Sequence, residues 1–195
     1  MDAIQNETVA TMLADLHLQA THTSPSLRAL AATDSRALRD LKLNVSSVLG
    51  SSNMSRKESS LLALSVAINE KNESLIAAFD STARKEGATD PEISETHACV
   101  AVMSANNVFY RFRHYMEGNE FYEKTPAGLR MSVMMNPVMG KELFELMSLV
   151  VSAVNGCERC VTSHEASVKN HGASEPRIYD AMRLAAVIRS LCIMI

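Results

Sequence analysis

The sequence predicts an all-α fold, and both the composition and an internal repeat of helix-start signals support this prediction. Hydrophobic residues make up 47% of the 195 residues, yet aromatic residues make up only 5%. The apolar content comes instead from Ala, Leu, Val and twelve Met, most of which favour helices. A chain of this length can bury a core without disulfide or metal staples. We therefore expect one helical domain, or two small ones fused.

The first part of the chain is predicted to form two helices, over residues 4–19 and 26–48. Thr23-Ser24-Pro25 separates them, because proline and small polar residues stop one helix and allow another to start. We expect these helices to precede the main body of the fold.

A third helix is predicted from about 56 to 69, after a loop at residues 50–53. Ser55 and Glu58 have the spacing of a capping box, in which a hydroxyl and a carboxylate satisfy free amides ahead of an apolar run. This spacing fixes the expected start of the helix.

An internal repeat organises the rest of the chain. Two similar seven-residue segments lie 85 residues apart: Gly87-Ala88-Thr89-Asp90-Pro91-Glu92-Ile93 and Gly172-Ala173-Ser174-Glu175-Pro176-Arg177-Ile178. In both copies Thr or Ser caps a helix that has Pro in its first turn. The order and spacing of the matches predict two copies of a three-helix unit, joined by a Gly- and Pro-punctuated segment at about 117–140.

The second copy carries side chains that the first copy lacks. With one residue of slippage in the alignment, the opposed pairs are Cys157 and Lys71, Cys160 and Ser74, His164 and Ala78, and Glu145 and Ser59. A residue type needed for packing should recur in both copies, whereas one needed for chemistry can occur in one. The asymmetry therefore predicts a function for the set between 145 and 164.

The leading candidate within this set is the dithiol Cys157-Glu158-Arg159-Cys160. Asn155-Gly156 lies just before it and indicates a helix start. At such a start the free amides and the helix dipole favour the thiolate, and two cysteines three residues apart are within disulfide reach. The motif thus predicts a catalytic dithiol.

His164 shares one helical face with both cysteines, because the three residues are spaced i, i+3 and i+7. It can therefore take the proton of Cys160, directly or through a water molecule. A thiolate that attacks peroxide becomes a sulfenic acid, and a neighbouring thiol resolves this as a disulfide. By this geometry Cys160 is the attacking thiol and Cys157 the resolving thiol.

Two other interpretations of these residues stay open. The cysteines can be small buried hydrophobes, with His164 a satisfied polar residue. Alternatively, Cys157, Cys160 and His164 can bind zinc with a fourth ligand such as His171. Structural zinc sites usually pair a CxxC with a second close pair of ligands, and none is visible in the sequence. We expect no metal and no bound cofactor.

Glu145 is the fourth candidate. Its apolar neighbours in Leu143-Phe144-Glu145-Leu146-Met147 could raise the pKa of the carboxyl group and suit it to proton relay. However, Lys141, Glu145, Ser148 and Ser152 form a polar stripe at helical spacing. Such a stripe is typical of a solvated helix face, so the pattern alone favours that interpretation.

The other cysteines and the methionines are predicted to pack. Cys99 and Cys192 have apolar helical surroundings, and the same is expected of Met131, Met134 and Met135. The segment 106–113 mixes amides, aromatic rings and arginines, and either walls the site or makes a subunit contact.

Charge and targeting signals limit the possible partners. The formal charge is −3, and the Lys and Arg residues are scattered, so we expect neither nucleic acid nor a membrane as partner. The N-terminus has no signal-peptide pattern, and no segment reaches eighteen uncharged apolar residues. We expect a cytoplasmic protein, a compartment in which a CxxC is more often catalytic or metal-binding than structural.

Glu145 followed by Asn155-Gly156-Cys157-x-x-Cys160-x-x-x-His164-Glu165 resembles the AhpD family of alkylhydroperoxidases, within the carboxymuconolactone decarboxylase superfamily. The resemblance runs from about residue 41 to the C-terminal helix. It implies three parts: residues 1–48 with an N-terminal extension and the first family helix, 49–116 with a first repeat that lacks the thiols of the CxxC site, and 117–195 with a linker and the second repeat that carries them.

The resemblance further implies an all-helical protein that reduces organic hydroperoxides and assembles as a homotrimer or a multiple of it. Cys160 is then the peroxidatic thiol, Cys157 the resolving thiol with which it forms a redox-active disulfide, and Glu145 with His164 the proton-relay pair. The implied reductant is dihydrolipoamide on a lipoylated protein, and the implied electron acceptor is the peroxiredoxin AhpC.

One position departs from the family, in which a histidine can stand between the two cysteines. This chain has Arg159, which cannot relay protons at working pH but can lower the pKa of a neighbouring thiol. The alternative functions are a lactone decarboxylase of the same superfamily and a redox-sensing protein without turnover.

Overall fold

The structure is all-helical, as predicted. The computed structural model describes residues 4–19 and 24–195, and these ranges contain ten α-helices, a short 3-10 helix at Ser132–Met134 and no strand. The α-helices are α1 (Glu7–Asp15), α2 (Pro25–Ala32), α3 (Arg36–Leu49), α4 (Arg56–Asn69), α5 (Glu73–Lys85), α6 (Asp90–Tyr115), α7 (Glu120–Lys124), α8 (Lys141–Val154), α9 (Glu158–Asn170) and α10 (Glu175–Met194). Among the described residues, no helix has both the length and the apolar character needed to cross a bilayer.

The helix predicted over 26–48 is two helices, so this prediction is wrong. Asp34 has a φ of 45°, a left-handed conformation that Asp tolerates better than most residues. The chain turns there, and the amide of Ser35 donates to the carbonyl of Leu30 at 3.0 Å. The turn-forming residues Thr33-Asp34-Ser35 were a signal for this break, with Ser35 as the N-cap of α3, but the prediction missed it because no glycine or proline marks the position.

The predicted interruption before this region is present at its described end. Ser24 accepts a hydrogen bond from the amide of Leu27 at 3.0 Å, and Pro25 is the first residue of α2. Thr23 lies outside the described residues. The helix predicted over 4–19 is shorter, since α1 ends at Asp15 and His17 has a φ of 56°.

The capping box at the start of α4 is confirmed. The amide of Glu58 donates to Ser55 Oγ at 3.2 Å, and the amide of Ser55 donates to Glu58 Oε2 at 2.7 Å. The helix runs from Arg56 to Asn69, as its caps predict.

Two triplets of helices repeat with a constant register. The pairs α4 and α8, α5 and α9, and α6 and α10 each begin 85 residues apart, and Thr89 and Ser174 cap the last pair. The slippage assumed in the sequence alignment is therefore wrong. The opposed pairs are Asn72 and Cys157, Leu75 and Cys160, Phe79 and His164, and Ser60 and Glu145. The first copy still lacks thiols and ionisable groups at all four positions, while the division of the chain at 49 and 117 stays a prediction.

The equivalent helices α4 and α8 form the centre of the core. Residues 59–67 of α4 and 143–152 of α8 are buried without interruption, which is typical of helices surrounded by others. Around them, α4 packs on α5, α6 and α10, and α8 packs on α6, α9 and α10. The site helix α9 is thus held against a central, fully packed helix.

An ion pair recurs in both copies with its charges exchanged. Lys57 Nζ lies 2.7 Å from Glu92 Oε1, and at the equivalent positions Glu142 Oε1 lies 2.8 Å from Arg177 Nε. Arg177 also lies 2.7 Å from Glu58 Oε1, and its side chain is only 15% exposed. One guanidinium therefore joins the first turns of α4, α8 and α10.

We predict that Arg177→Ala lowers the free energy of unfolding by about 2–3 kcal/mol, because it leaves two half-buried carboxylates without a cation. Urea unfolding followed by circular dichroism measures this. Arg189 is the matched control, since its side chain is 54% exposed and its contact with Glu70 is 3.8 Å. Arg189→Ala should change the value by less than about 0.5 kcal/mol. Equal losses in the two variants would contradict the assigned role.

Candidate active site

The two cysteines stand at the start of α9, as the sequence predicts. Cys157 is the N-cap residue, Cys160 lies in the first turn, and their sulfurs form a disulfide with the Cα atoms 5.3 Å apart. Gly156 precedes them with a φ of 67°, a conformation that favours glycine. The amide of Cys157 donates to Ser152 O at 3.1 Å, which closes the turn between α8 and α9.

The equivalent helix of the first copy shows what the disulfide replaces. At the start of α5, Asn72 Oδ1 accepts a hydrogen bond from the amide of Leu75 at 3.0 Å. In α9 the residues at these two positions are Cys157 and Cys160, and Cys157 makes no side-chain cap hydrogen bond. The first-turn amides of α9 are therefore available to a thiolate once the disulfide is reduced.

The two sulfurs differ in access. Cys157 is fully buried, whereas Cys160, which is 6% exposed, lines an open cavity of about 330 Å³. We call this the thiol cavity; its walls are Asn106, Tyr110, Met131, Met134, Arg159, Cys160, Ser163 and His164. A molecule entering the cavity meets Cys160 and His164 together.

His164 is held from behind by a buried carboxylate. Its Nδ1 lies 2.7 Å from Glu145 Oε2, and Lys141 Nζ lies 3.1 Å from Glu145 Oε1. Glu145 is only 4% exposed. With Nδ1 donating to the carboxylate, neutral His164 carries its lone pair on Nε2. The structure thus brings together all four residues that the sequence selected, and adds Lys141.

The expected direction of the pKa shift of Glu145 is wrong. Burial by itself raises the pKa of this carboxyl, but the hydrogen bonds and charges of His164 and Lys141 outweigh burial and lower it to about 2. Glu145 is therefore ionised at neutral pH. The apolar neighbours of Glu145 in the sequence predicted a raised pKa because they give no information about His164, which is supplied by another helix.

The prediction that the polar stripe of α8 faces solvent is also wrong. Ser148 and Ser152 are fully buried, and each has a polar partner inside the protein. Ser148 Oγ donates to Phe144 O at 2.8 Å, and Ser152 Oγ accepts from Asn107 Nδ2 at 2.9 Å. The polar face of α8 is turned toward α6 and α9, not toward water.

The segment 106–113 of α6 walls the site, which was one of its two interpretations. Asn106 and Tyr110 line the thiol cavity. Arg111 donates to Asn155 O at 2.6 Å, and Asn107 Oδ1 accepts from Asn155 Nδ2 at 2.9 Å. These contacts hold the end of α8, just before the cysteines.

Met131 and Met134 were predicted only to pack, but they form a wall of the thiol cavity. Met135 is 74% exposed, so its packing prediction is wrong. Lys141 Nζ also donates to Met134 O at 2.6 Å and fixes this wall to α8. The i,i+4 spacing of Lys141 and Glu145 was the available signal for their ion pair.

The first copy has a smaller cavity at the equivalent place. It measures about 90 Å³, and its walls include Leu49, Arg56, Ser60 and Phe79, which match Met134, Lys141, Glu145 and His164. Arg56 donates to Leu49 O at 3.0 Å, as Lys141 does to Met134 O. Leu16 and His17, from the N-terminal extension, also line it.

The remaining cysteines pack, as predicted. Cys99 is fully buried with its sulfur 3.5 Å from Ser148 Oγ, and burial raises the pKa of its thiol to about 12. Cys192 is partly buried against the core, and burial raises its pKa to about 12 as well. Both thiols are therefore poor nucleophiles at neutral pH.

The described part of the structure offers no set of ligands for the zinc site considered above. Within residues 4–19 and 24–195, no group of three His, Cys, Asp or Glu side chains could hold a metal ion. His171, its suggested fourth ligand, is exposed, and its Nδ1 lies 2.8 Å from Ser167 O.

Comparison with known proteins places this chain in a family. Residues 122–192 match the model of the Carboxymuconolactone decarboxylase family. Alkyl hydroperoxide reductase AhpD of Anaeromyxobacter dehalogenans (strain 2CP-C) is 44% identical over 156 residues, which cover 80% of this chain and 82% of that protein. The chain belongs to the AhpD family. AhpD of Azorhizobium caulinodans is 35% identical over 168 residues, which cover 86% of this chain and 92% of that protein.

Membership in the AhpD family confirms the resemblance drawn from the glutamate, the CxxC and the histidine. Another relative, AhpD of Coxiella burnetii (strain Dugway 5J108-111), is 37% identical over 156 residues, covering 78% of this chain and 87% of that protein. The chain thus spans most of the length of these relatives.

We predict that Glu145→Gln makes the protein less stable near neutral pH but not in acid. The folded pKa of Glu145 is about 2, below its ordinary value of 4.5. Its contribution to the free energy of unfolding is therefore present above about pH 4.5 and is lost as the pH falls toward 2. The two proteins should differ by about 2–3 kcal/mol at about pH 6.5 and converge near pH 2.

Urea unfolding of both proteins across this pH range gives the measurement. Glu165→Gln is the matched control, because Glu165 is 41% exposed and pairs with Lys169 on the surface. Its difference from the wild type should stay below about 0.5 kcal/mol at each pH. A stability difference for Glu145→Gln that does not change with pH would disprove the ionised, paired carboxylate.

Proposed function

We propose that this chain is an alkyl hydroperoxide reductase that works through a cycle between a Cys157/Cys160 dithiol and their disulfide. The name of the AhpD relatives supports the reaction. The observation that carries the proposal is a disulfide with one sulfur on an open cavity, beside a histidine bonded to an ionised carboxylate. This arrangement provides a nucleophile, a base and space for a substrate.

In the oxidative half-reaction, His164 takes the proton of Cys160, and the thiolate attacks the outer oxygen of the hydroperoxide. The O–O bond breaks, the proton returns to the leaving oxygen, and an alcohol departs. Cys160 is then a sulfenic acid. The Cys157 thiol attacks its sulfur, water leaves, and the disulfide seen in the structure forms.

Glu145 and Lys141 act through His164. The carboxylate holds the imidazole with its lone pair on Nε2 and stabilises the imidazolium that forms during proton transfer. Lys141 helps to keep Glu145 ionised, because its ammonium lies 3.1 Å from the second carboxylate oxygen. Glu145 is thus a positioning residue, and His164 the proton carrier.

The reductive half-reaction needs a thiol donor, and we propose a dihydrolipoamide group carried by a lipoylated protein. Its thiolate attacks the cavity-lining sulfur of Cys160, and Cys157 leaves as a thiolate. The free first-turn amides of α9 stabilise that leaving group at the N-cap position. The second donor thiol then restores Cys160 and forms the lipoamide disulfide. The reduced dithiol can also pass electrons to the peroxiredoxin AhpC.

Assembly as a homotrimer, or a multiple of it, and a cytoplasmic location belong to the same proposal. Exposed aromatic side chains near the end of α6 and in α7 support an interface: Phe112 is 42%, Tyr115 70% and Phe121 69% exposed. Sedimentation analysis of the purified protein measures the assembly.

Two alternative functions, a lactone decarboxylase and a redox sensor without turnover, can be distinguished from the peroxidase by activity assays. A decarboxylase keeps its activity after both cysteines are alkylated, whereas a sensor forms the disulfide but does not sustain peroxide consumption with dihydrolipoamide. The cavity-lining disulfide supports the peroxidase.

We predict that Cys160→Ser abolishes peroxide consumption with dihydrolipoamide as reductant, because it removes the nucleophile. Cys157→Ser, treated with peroxide in the absence of reductant, should consume one peroxide and keep a sulfenic acid on Cys160, because the resolving thiol is missing. Mass spectrometry after trapping with dimedone locates this intermediate. Cys192→Ser is the matched control and should keep wild-type rates, because its thiol is outside the thiol cavity. A sulfenic acid found instead on Cys157 would reverse the two roles.

We predict that His164→Asn slows the peroxide step by about 30-fold at neutral pH, because a thiol without its proton acceptor and with an ordinary pKa is only about 3% ionised at pH 7. Raising the pH to about 9 should recover much of the rate, since a thiol with an ordinary pKa of about 8.5 then ionises by itself. Rapid quenching of the reduced protein with an alkylating agent measures the loss of thiols. A defect of the same size at all pH values would exclude proton transfer as the role of His164.

A further inference from the structure

Arg159 is a charged wall of the thiol cavity that the proposed reaction does not use. It follows the N-cap in the first turn of α9, next to Cys160 in the chain, and its exposed side chain lines the same cavity. In the part of the chain that the structure describes, no carboxylate lies within ion-pair distance of its guanidinium. All its side-chain donors are therefore available to a ligand.

The described carboxylates around the thiol cavity make no ion pair with Arg159. Glu145 is paired with Lys141 and hydrogen-bonded to His164. In the cleft on the other side of Arg159, Glu158 lies 3.6 Å from His114 Nε2.

The other carboxylates of that cleft lie apart from Arg159. Glu123 accepts a hydrogen bond from the amide of Gly118 at 2.8 Å, and Glu117 lines the cleft without reaching the guanidinium. Among the described residues, the thiol cavity therefore has one guanidinium that makes no ion pair, and it stands next to Cys160 in the chain.

Three of the remaining wall residues suit an apolar molecule, while Asn106 and Ser163 add polar groups. Met131 and Met134 present flexible thioether side chains, and Tyr110 presents an aromatic ring. A volume of about 330 Å³ accommodates a small to medium-sized organic molecule rather than hydrogen peroxide alone. A ligand that satisfies the whole cavity has an apolar body and one anionic group.

We propose that the preferred substrates are organic hydroperoxides that bear a carboxylate, such as oxidised fatty acids, and that Arg159 binds this carboxylate while the peroxide faces Cys160. This inference rests on the proposed peroxidase function and names its substrate class. A guanidinium matches a carboxylate through two parallel hydrogen bonds, a geometry that a lysine or a neutral amide cannot reproduce. The carboxylate is bound but not changed, so the balance of the reaction is the same for an acid and its ester.

The test compares the hydroperoxide of a medium-chain fatty acid with its methyl ester. The reduced protein is mixed with each peroxide without any reductant, so that only the oxidative half-reaction is measured. The chain contains no tryptophan whose fluorescence could report the reaction. The loss of free thiols is therefore followed by rapid alkylation and mass spectrometry. We expect the acid to react about five- to ten-fold faster than the ester at low concentration, through tighter binding.

Arg159→Gln should bring the ratio of acid to ester rates close to one, and Arg159→Lys should restore only part of the preference. Arg39→Gln is the matched control: it removes one positive charge from α3, an element that contributes nothing to the thiol cavity, and should leave the ratio unchanged. A ratio near one in the wild type overturns the proposal. So does an equal fall of both rates in Arg159→Gln, which would assign the arginine to the thiolate. Absence of any reaction with either peroxide would instead refute the peroxidase function itself.

Discussion

The hydrogen bond between the buried carboxylate of Glu145 and His164 is the interaction on which the geometry of the site depends. The carboxylate lies on the fully packed helix α8, so its position is set by the core, and it reaches His164 on α9 at 2.7 Å. A buried charge of this kind is tolerated only when it is paired, and Lys141 and His164 together provide the pairing. The same contact therefore fixes the tautomer of the histidine and the position of α9 against α8. Chemistry and packing are not separable at this point of the fold.

The duplicated helices show how little of the scaffold the chemistry requires. The start of α5 has an ordinary side-chain cap, in which Asn72 accepts a hydrogen bond from the amide of Leu75. Cys157 and Cys160 occupy the same two positions at the start of α9. The backbone that normally receives a polar cap is thus the backbone that can stabilise a thiolate. A site of this kind needs few substitutions, because the helix start already supplies the electrostatic environment.

Local patterns predicted much of this structure. Helix starts at Ser55, Thr89 and Ser174 followed from side chains that act within one turn, and the dithiol followed from its own spacing. The failures at Glu145, Met131 and Met134 had one cause, which is contact between residues distant in sequence. The low pKa of Glu145 depends on a histidine nineteen residues away, and the cavity walls at Met131 and Met134 depend on how the linker folds back onto α8. The break at Asp34 was missed for a different reason, since Thr33-Asp34-Ser35 signals a turn through small polar residues and not through glycine or proline.

The N-terminal extension gives the two halves of the duplicated scaffold different tasks. In the first copy, Leu16 and His17 lie over the recess bounded by Phe79 and Arg56, and Leu16 is only 4% exposed. Apolar surface that would face water is covered there by the chain itself, which favours the folded state. In the second copy the equivalent recess, the thiol cavity, stays open. The covered recess therefore adds to the stability of the fold, whereas the open one leaves part of its apolar wall exposed.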